Sequence, residues 1–206
     1  SVDDSSSVTI DNTHPTLSSV SIATAGTGNA NNGDDITLSF TASEGIQTPT
    51  CTIKDGAGAT MDNSVAVTEG SSNAWTCVVD THDNDADGAV TFSIAFSDDA
   101  GNAGTAVTAV TDGSTVTIDN SHPTLSPVSI ATAGTGNAND GDVITLSFTS
   151  SETIQTSPTC TIKDGASATM DNAVTVADGG SNAWTCKIST ADADASGTVT
   201  FSIAYS

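Results

Sequence analysis

Arginine is absent from this 206-residue chain, and lysine occurs only at Lys54, Lys163 and Lys187. Against them stand 25 acidic residues, giving a formal net charge of −22. No nucleic-acid partner is expected from that balance, because binding phosphates needs Lys or Arg. Binding to anionic lipid is unexpected for the same reason. Glutamate is scarce too, occurring only at Glu44, Glu69 and Glu152, so the acidity is almost all aspartate. Aromatics make up 4% of the chain, so any core must rest on Val, Ile, Leu and Ala. There is no apolar run long enough to insert into a bilayer and no helical period. No Asn-x-Ser/Thr acceptor is present, so N-glycosylation of that type is not expected. Without a signal peptide or a starting Met, the chain reads as a processed or excised piece.

What the chain does contain is one sequence written twice. Thr9-Ile10-Asp11-Asn12 recurs as Thr117-Ile118-Asp119-Asn120, and Ala74-Trp75-Thr76-Cys77 as Ala183-Trp184-Thr185-Cys186. The offset is 108 residues early and 109 late, because Ser157 is extra in the second copy. A period of that length is a whole domain. The repeat divides the chain into 1–112, with a linker segment 1–14 at its start, and 113–206.

Cys51 and Cys77 lie in the first copy, Cys160 and Cys186 in the second, each pair 26 positions apart. Four cysteines allow three pairings, and only pairing within each copy gives equivalent domains. The spacing does not suit zinc. Cys51 is in strand phase with Ile53, and Cys77 with Trp75 and Val79, so both sulfurs should face a core. Closing such a loop stabilises a domain by roughly 3 kcal/mol on the chain-entropy model. Buried free thiols are the alternative. Disulfides imply an oxidising compartment, here read as extracellular or cell-surface.

Short alternating runs bounded by Gly, Asn, Asp and Pro predict an all-β sandwich in each copy. In the first copy the strands are expected at 17–24, 35–42, 48–54, 65–68, 74–80, 89–96 and 104–110. The cysteines then fall on the third and fifth strands, whereas antibody domains bridge the second and sixth.

The runs FSIAFSDDAGNAGTAVTAVTDGSTVTIDNSHPTL (92–125), GDDITLSFTASEGIQTPTCTI (33–53) and NAWTC (73–77) carry a resemblance across essentially the whole chain. They are similar to the bacterial immunoglobulin-like tandem repeats of very large surface proteins and adhesins. There, a strand ending in an Asp-x-Ala-Gly-Asn turn leads to a Thr-Val-x-Ile-Asp linker and a Pro. The resemblance implies two tandem immunoglobulin-like sandwiches. The cysteine pair is not general among such repeats.

Ser1 aligns with Ala109 and Ser206 with Ser97, so the counterpart of 98–108, a last strand, would follow Ser206. Two explanations are open: the polypeptide continues, or a neighbouring subunit donates the strand. Both lead to copies joined end to end.

Two groups of acidic residues could hold calcium. Asp83, Asp85 and Asp87 alternate before Gly88 like the opening of a calcium loop, and Asp192 and Asp194 repeat the pattern. A full EF-hand is excluded, because the bidentate Glu position is Ile94. The second group lies at the junctions: Asp11 and Asp119, each followed by Asn and then His-Pro; Asp98, Asp99 and Asn102 in a turn; Glu44 and Glu152 after a strand. It resembles cadherin-type linkers, in which an Asp-Asn pair before a Pro helps bind calcium between domains. The competing reading of both groups is turn and loop caps without an ion. Trp75 and Trp184 read as core partners of the disulfide rather than sugar-stacking platforms.

No Ser-His-Asp set, phosphate loop or paired catalytic carboxylates are present, so no enzyme is expected. The sequence points to a structural module of an extracellular fibre, stalk or surface layer. The alternative is an adhesin binding a host or carbohydrate ligand, with calcium-stiffened junctions.

Overall fold

The computed structural model describes residues 8–25, 29–133 and 136–206. The start of the expected linker, 1–7, lies outside the described residues. The chain divides into two compact units, Ser1–Ser121 and His122–Ser206, and is all β.

The first unit contains β1 (Leu17–Thr24), β2 (Asp35–Ala42), β3 (Thr50–Lys54), β4 (Ala66–Glu69), β5 (Ala74–Asp80), β6 (Gly88–Ala89), β7 (Thr91–Ala95) and β8 (Thr117–Ile118). One sheet has the order β1-β2-β5-β4, while β3 pairs with β7 and β6 with β8. With the short β6 set aside, this is strand order A-B-E-D facing C-F, the arrangement of an immunoglobulin-like sandwich. Alternation in the sequence produces it. Ile36, Leu38 and Phe40 of β2 stand opposite Val79, Cys77 and Trp75 of β5, and all six are buried. The intervening Thr37, Ser39 and Thr41 face the wetter side. From the other sheet, Cys51 and Ile53 pair with Ile94 and Phe92. Each fully buried side chain of this size contributes about 1.5–3 kcal/mol.

Cys51 is bonded to Cys77, with Cα atoms 6.4 Å apart. The bond runs from β3 to β5 and so ties one sheet to the other. The turn after β3 is held differently. A Cβ on Gly56 would stand 2.1 Å from the Asp87 carbonyl oxygen, so only glycine lets this turn lie against the 86–88 loop. Gly165 meets the Ser196 carbonyl oxygen in the same way in the second unit.

The strand expected at 104–110 is not continuous. The chain there makes single bridges, Ser97 with Ala103 and Ile94 with Val107. It then changes partner: the Thr111 N–H donates to Val20 O at 2.8 Å, and Val116 O accepts from Val90 N–H at 2.9 Å. Finally β8 pairs with β6. A segment that crosses the open side of a sandwich between strands of both sheets cannot keep one ladder, but it can cover the core. Val107 and Val110 pack on that core, and Val116 and Ile118 are buried in it. For this reason the first compact unit ends at Ser121, whereas the repeat boundary read from the sequence falls at 112.

The second unit has β9 (Leu125–Thr132), β10 (Val143–Ser150), β11 (Thr159–Lys163), β12 (Thr175–Gly180), β13 (Ala183–Ser189) and β14 (Thr200–Ala204). Its order is β12-β13-β10-β9 against β11-β14. Leu146 and Phe148 face Cys186 and Trp184, and Cys160 is bonded to Cys186. Nothing among its described residues takes the place of 103–118. Val128 is 39% exposed where its counterpart Val20 is 1%, and Phe201 is 41% exposed where Phe92 is 8%. Ile130 and Tyr205 are uncovered in the same way.

Replacing Cys51 and Cys77 together by Ala is expected to cost the first unit about 3 kcal/mol. Urea unfolding followed by Trp75 fluorescence in a Trp184→Phe background measures it. An unmoved midpoint would show that the bridge adds nothing to the packing.

Candidate functional site

Among the described residues, one group of acidic side chains converges closely enough to hold a cation: Asp11, Glu44 and Asp98, with one carboxylate oxygen from each lying within 4.8 Å of the others. Three separate elements supply them. Asp11 precedes β1, Glu44 follows β2 and Asp98 follows β7. The approach is fixed by hydrogen bonds from the segment before β1 to the turn after β7. His14 Nδ1 lies 2.8 Å from Ala103 O, and Asn102 Nδ2 donates to Asp11 O at 3.1 Å.

Asp98 is buried, and its two oxygens accept from Asn102 N and Asn102 Nδ2, each at 2.7 Å. Those bonds, the Asn102 side chain first, hold its carboxyl below the ordinary value. The cluster is thus an ionised, buried carboxylate with two more carboxylates beside it. Like charges so close repel, and hard oxygen donors of this kind suit calcium. Asp99 is exposed and outside the cluster. Glu152 is half-buried and gathers no acidic partners among the described residues.

The alternating aspartates do not converge in the same way. Asp85 is buried and caps its own loop, accepting from His82 N at 2.7 Å and Asp62 N at 3.1 Å. Asp87 grips the end of the unit. It accepts from Asn120 N at 2.6 Å and from the Ser121 hydroxyl at 2.5 Å, which lower its pKa, Ser121 foremost. Asp83 and Asp192 are exposed, and Asp194 repeats the capping of Asp85 through Ala191 N and Asp171 N. Asp119 accepts from Asn29 Nδ2 at 3.1 Å. In this structure Asp85, Asp87 and Asp194 act as caps within these loops.

Two buried aspartates escaped the sequence reading. Asp55 accepts from Ala57 N and Ala59 N on one oxygen and from Ala86 N on the other. Asp164 does the same with Ala166, Ala168 and Ala195. Each clamps the turn after the third strand to the loop that follows the fifth. The one signal in the sequence is the Lys-Asp-Gly-Ala that both copies share at the end of the third strand. The N–H donors, that of Ala86 or Ala195 first, hold both carboxyls below the ordinary value. Trp75 is buried against Phe40, and His82 is an exposed loop residue.

No protein-family model matches the chain, and neither does any curated protein. Solved structures similar to it include a marsupial T cell receptor, at 10% identity and TM-score 0.43, covering 92% of this chain and 71% of the receptor. A three-domain immunoglobulin segment of titin is 9% identical with TM-score 0.44, covering 93% of this chain and 64% of titin's. The immunoglobulin-like assignment rests on the strand order and not on these distant likenesses.

For Asp55 and Asp164, the folded carboxyl is the stronger acid, so the unfolded chain binds more protons. Their contribution is full above the ordinary value of 3.8 and is lost as pH falls through the lower folded value. Asp55→Asn, with one acceptor oxygen where two are needed, should lower the melting temperature of the first unit at neutral pH. It should also flatten the acid limb of its stability curve. Calorimetry from neutral pH to below pH ~3 checks both. An acid limb as steep as that of the unsubstituted protein would remove the clamp from the account.

Proposed function

We propose that this chain is a structural module of an extracellular fibre, stalk or surface layer, built from immunoglobulin-like units joined end to end. One observation carries the reading: the two units repeat strand order, core register and inter-sheet bridge. Leu38 faces Cys77 as Leu146 faces Cys186, and Phe40 faces Trp75 as Phe148 faces Trp184. Duplicating a whole domain adds length and equal surfaces, while a binding or catalytic site needs to exist once. The disulfides fit an oxidising exterior. The strongly acidic surface keeps closely spaced copies soluble and apart.

An adhesin is the second reading, favoured by the apolar patch of Val128, Ile130, Phe201 and Tyr205, which is confined to one unit. The types of those residues argue against a dedicated ligand surface. Their counterparts Val20, Ile22, Phe92 and Phe96 are core in the first unit, so the patch is core left uncovered.

Calcium is the ion this reading would assign to Asp11, Glu44 and Asp98. Held there, it would fasten the segment entering the first unit to that unit's body. Antibody raised against the folded chain should decorate filaments or a surface lattice on intact source cells at regular intervals. Label confined to the cell interior would overturn the structural reading. Calcium should raise the melting temperature of the first unit. Glu44→Gln should shrink that rise, whereas Asp178→Asn, a remote charge control, should not. Equal melting in calcium and in chelator would remove the ion from the proposal.

A further inference from the structure

The second sandwich has an open slot of about 790 Å³, lined in part by Ile130, Ala138, Ile144, Met170, Gly197 and Val199. In the first unit the same positions are Ile22, Ala30, Ile36, Met61, Gly88 and Val90, and there Val116–Ile118 occupy the place. Gly88 pairs with Ile118, and Ala30 bridges the same residue. Besides that pairing, backbone bonds run from Ala30 N–H to Thr117 O, from Asp119 N–H to Ala30 O and from Val90 N–H to Val116 O. Ala138 and Val199, the counterparts of Ala30 and Val90, have no backbone partner of this kind among the described residues.

The chain carries a second segment with the sequence of the filling strand. Val8-Thr9-Ile10-Asp11-Asn12 repeats Val116-Thr117-Ile118-Asp119-Asn120 residue for residue. Its environment is the opposite. Val116 and Ile118 are 3% and 1% exposed, whereas Val8 and Ile10 are 94% and 80% exposed. One chain therefore presents both an unfilled slot and an unpartnered strand of the sequence known to fill its twin.

We propose that Val8–Ile10 of one copy enters the slot of the second unit of another copy, so that copies polymerise head to tail by strand addition. This deepens the end-to-end reading above and rests on it for its setting. The side chains Val8 and Ile10 take the places that Val116 and Ile118 take in the first unit. The backbone of Thr9 bonds to Ala138 as Thr117 bonds to Ala30. Asn12 follows where Asn120 stands. The Asn120 side-chain amide donates to the carbonyls of His82 and Asp85, each at 2.9 Å, and Ala191 and Asp194 carry the matching carbonyls in the second unit. One grip is missing: the position of Asp87, which holds Asn120 and Ser121, is Ser196. The joint between copies is therefore the weaker version of the one inside a chain. Tyr205 belongs to the part of the edge that 103–104 covers in the first unit, and it takes no part.

The test uses the full chain and substitutions at exposed positions, which leave the cores intact. Light scattering on a sizing column should show wild-type oligomers that lengthen with concentration. A donor-blocked chain, Val8→Asp with Ile10→Asp, should be monomeric, and so should an acceptor-blocked chain, Ile130→Asp. An equimolar mixture of the two should stop at a one-to-one complex, because one free donor meets one free acceptor. A synthetic peptide of residues 109–121 should dissolve wild-type oligomers and slow amide exchange at Ala138 and Val199. Oligomers that persist in the donor-blocked chain would overturn the proposal. So would a wild-type chain that stays monomeric while binding the peptide, since the strand would then have to come from elsewhere in the same polypeptide. Failure of the fibre reading is separable: head-to-tail growth in solution with only intracellular label would sink that reading and leave strand addition standing.

Discussion

The sulfur bridge between the third and fifth strands compensates for what this core lacks. Two Trp, one Tyr and five Phe serve two sandwiches. In each, the sheet opposite the four-stranded one has only two regularly paired strands. A two-stranded ladder is marginal in water and must be held against something. In the first unit β3 and β7 are held in three ways: by Ile53, Phe92 and Ile94 in the core, by the closing segment 103–118, and by Cys51 bonded into the facing sheet. In the second unit, Ile162 and Ile203 pack with the core and Cys160 is bonded to Cys186 of the facing sheet. Placing a cross-link on the third strand, rather than at an antibody domain's positions, puts it on a strand with a single ladder partner.

Aspartate does by hydrogen bonding what larger apolar groups do elsewhere. Asp55 and Asp164 are buried and each gather three backbone N–H groups, joining two loops. Asp85 and Asp194 cap the following loop on the same plan. The short side chain suits such local reach, which explains why aspartate and not glutamate dominates. Part of the large negative charge is therefore internal architecture, held ionised by N–H donors, and only the remainder is a solvated surface.

The legibility of the sequence followed from how many structures a pattern can serve. The strands at 17–24, 35–42 and 74–80 could be read to the residue; in 35–42 alternation of Ile36, Leu38 and Phe40 with Thr and Ser has one outcome in a half-buried sheet, and in 74–80 Trp75, Cys77 and Val79 alternate in the same way. The segment 104–110, Gly-Thr-Ala-Val-Thr-Ala-Val, was expected as one strand, yet it exchanges partners along its length, and composition says nothing of which strand lies alongside. Carboxylates at alternate positions were ambiguous in principle. Asp85 and Asp87 accept from backbone N–H groups, while Asp83 is exposed. The convergence of Asp11, Glu44 and Asp98 came from the placement of three chain segments around one end of a sandwich. Asp55 was invisible as a clamp, since its partners are backbone groups with no signature in the sequence.

The boundary of the folding unit is displaced from that of the repeat, and this has a mechanical consequence. The residues that complete the first sandwich, Val116–Ile118, are followed at once by Asp119–Ser121 and the next unit. Tension applied from the side of the second unit therefore reaches the first unit through the segment that closes its core. Asp87 stands at that exit, holding Asn120 and Ser121 with charge-assisted bonds, and Asn120 holds the carbonyls of His82 and Asp85 in return. The clasp lies between the linker and the closing strand, so a tug on the linker loads these hydrogen bonds before it can peel Ile118 from Gly88. In the proposed fibre, tension from the second unit would enter the first at this point, and Asp87 stands there beside the last strand.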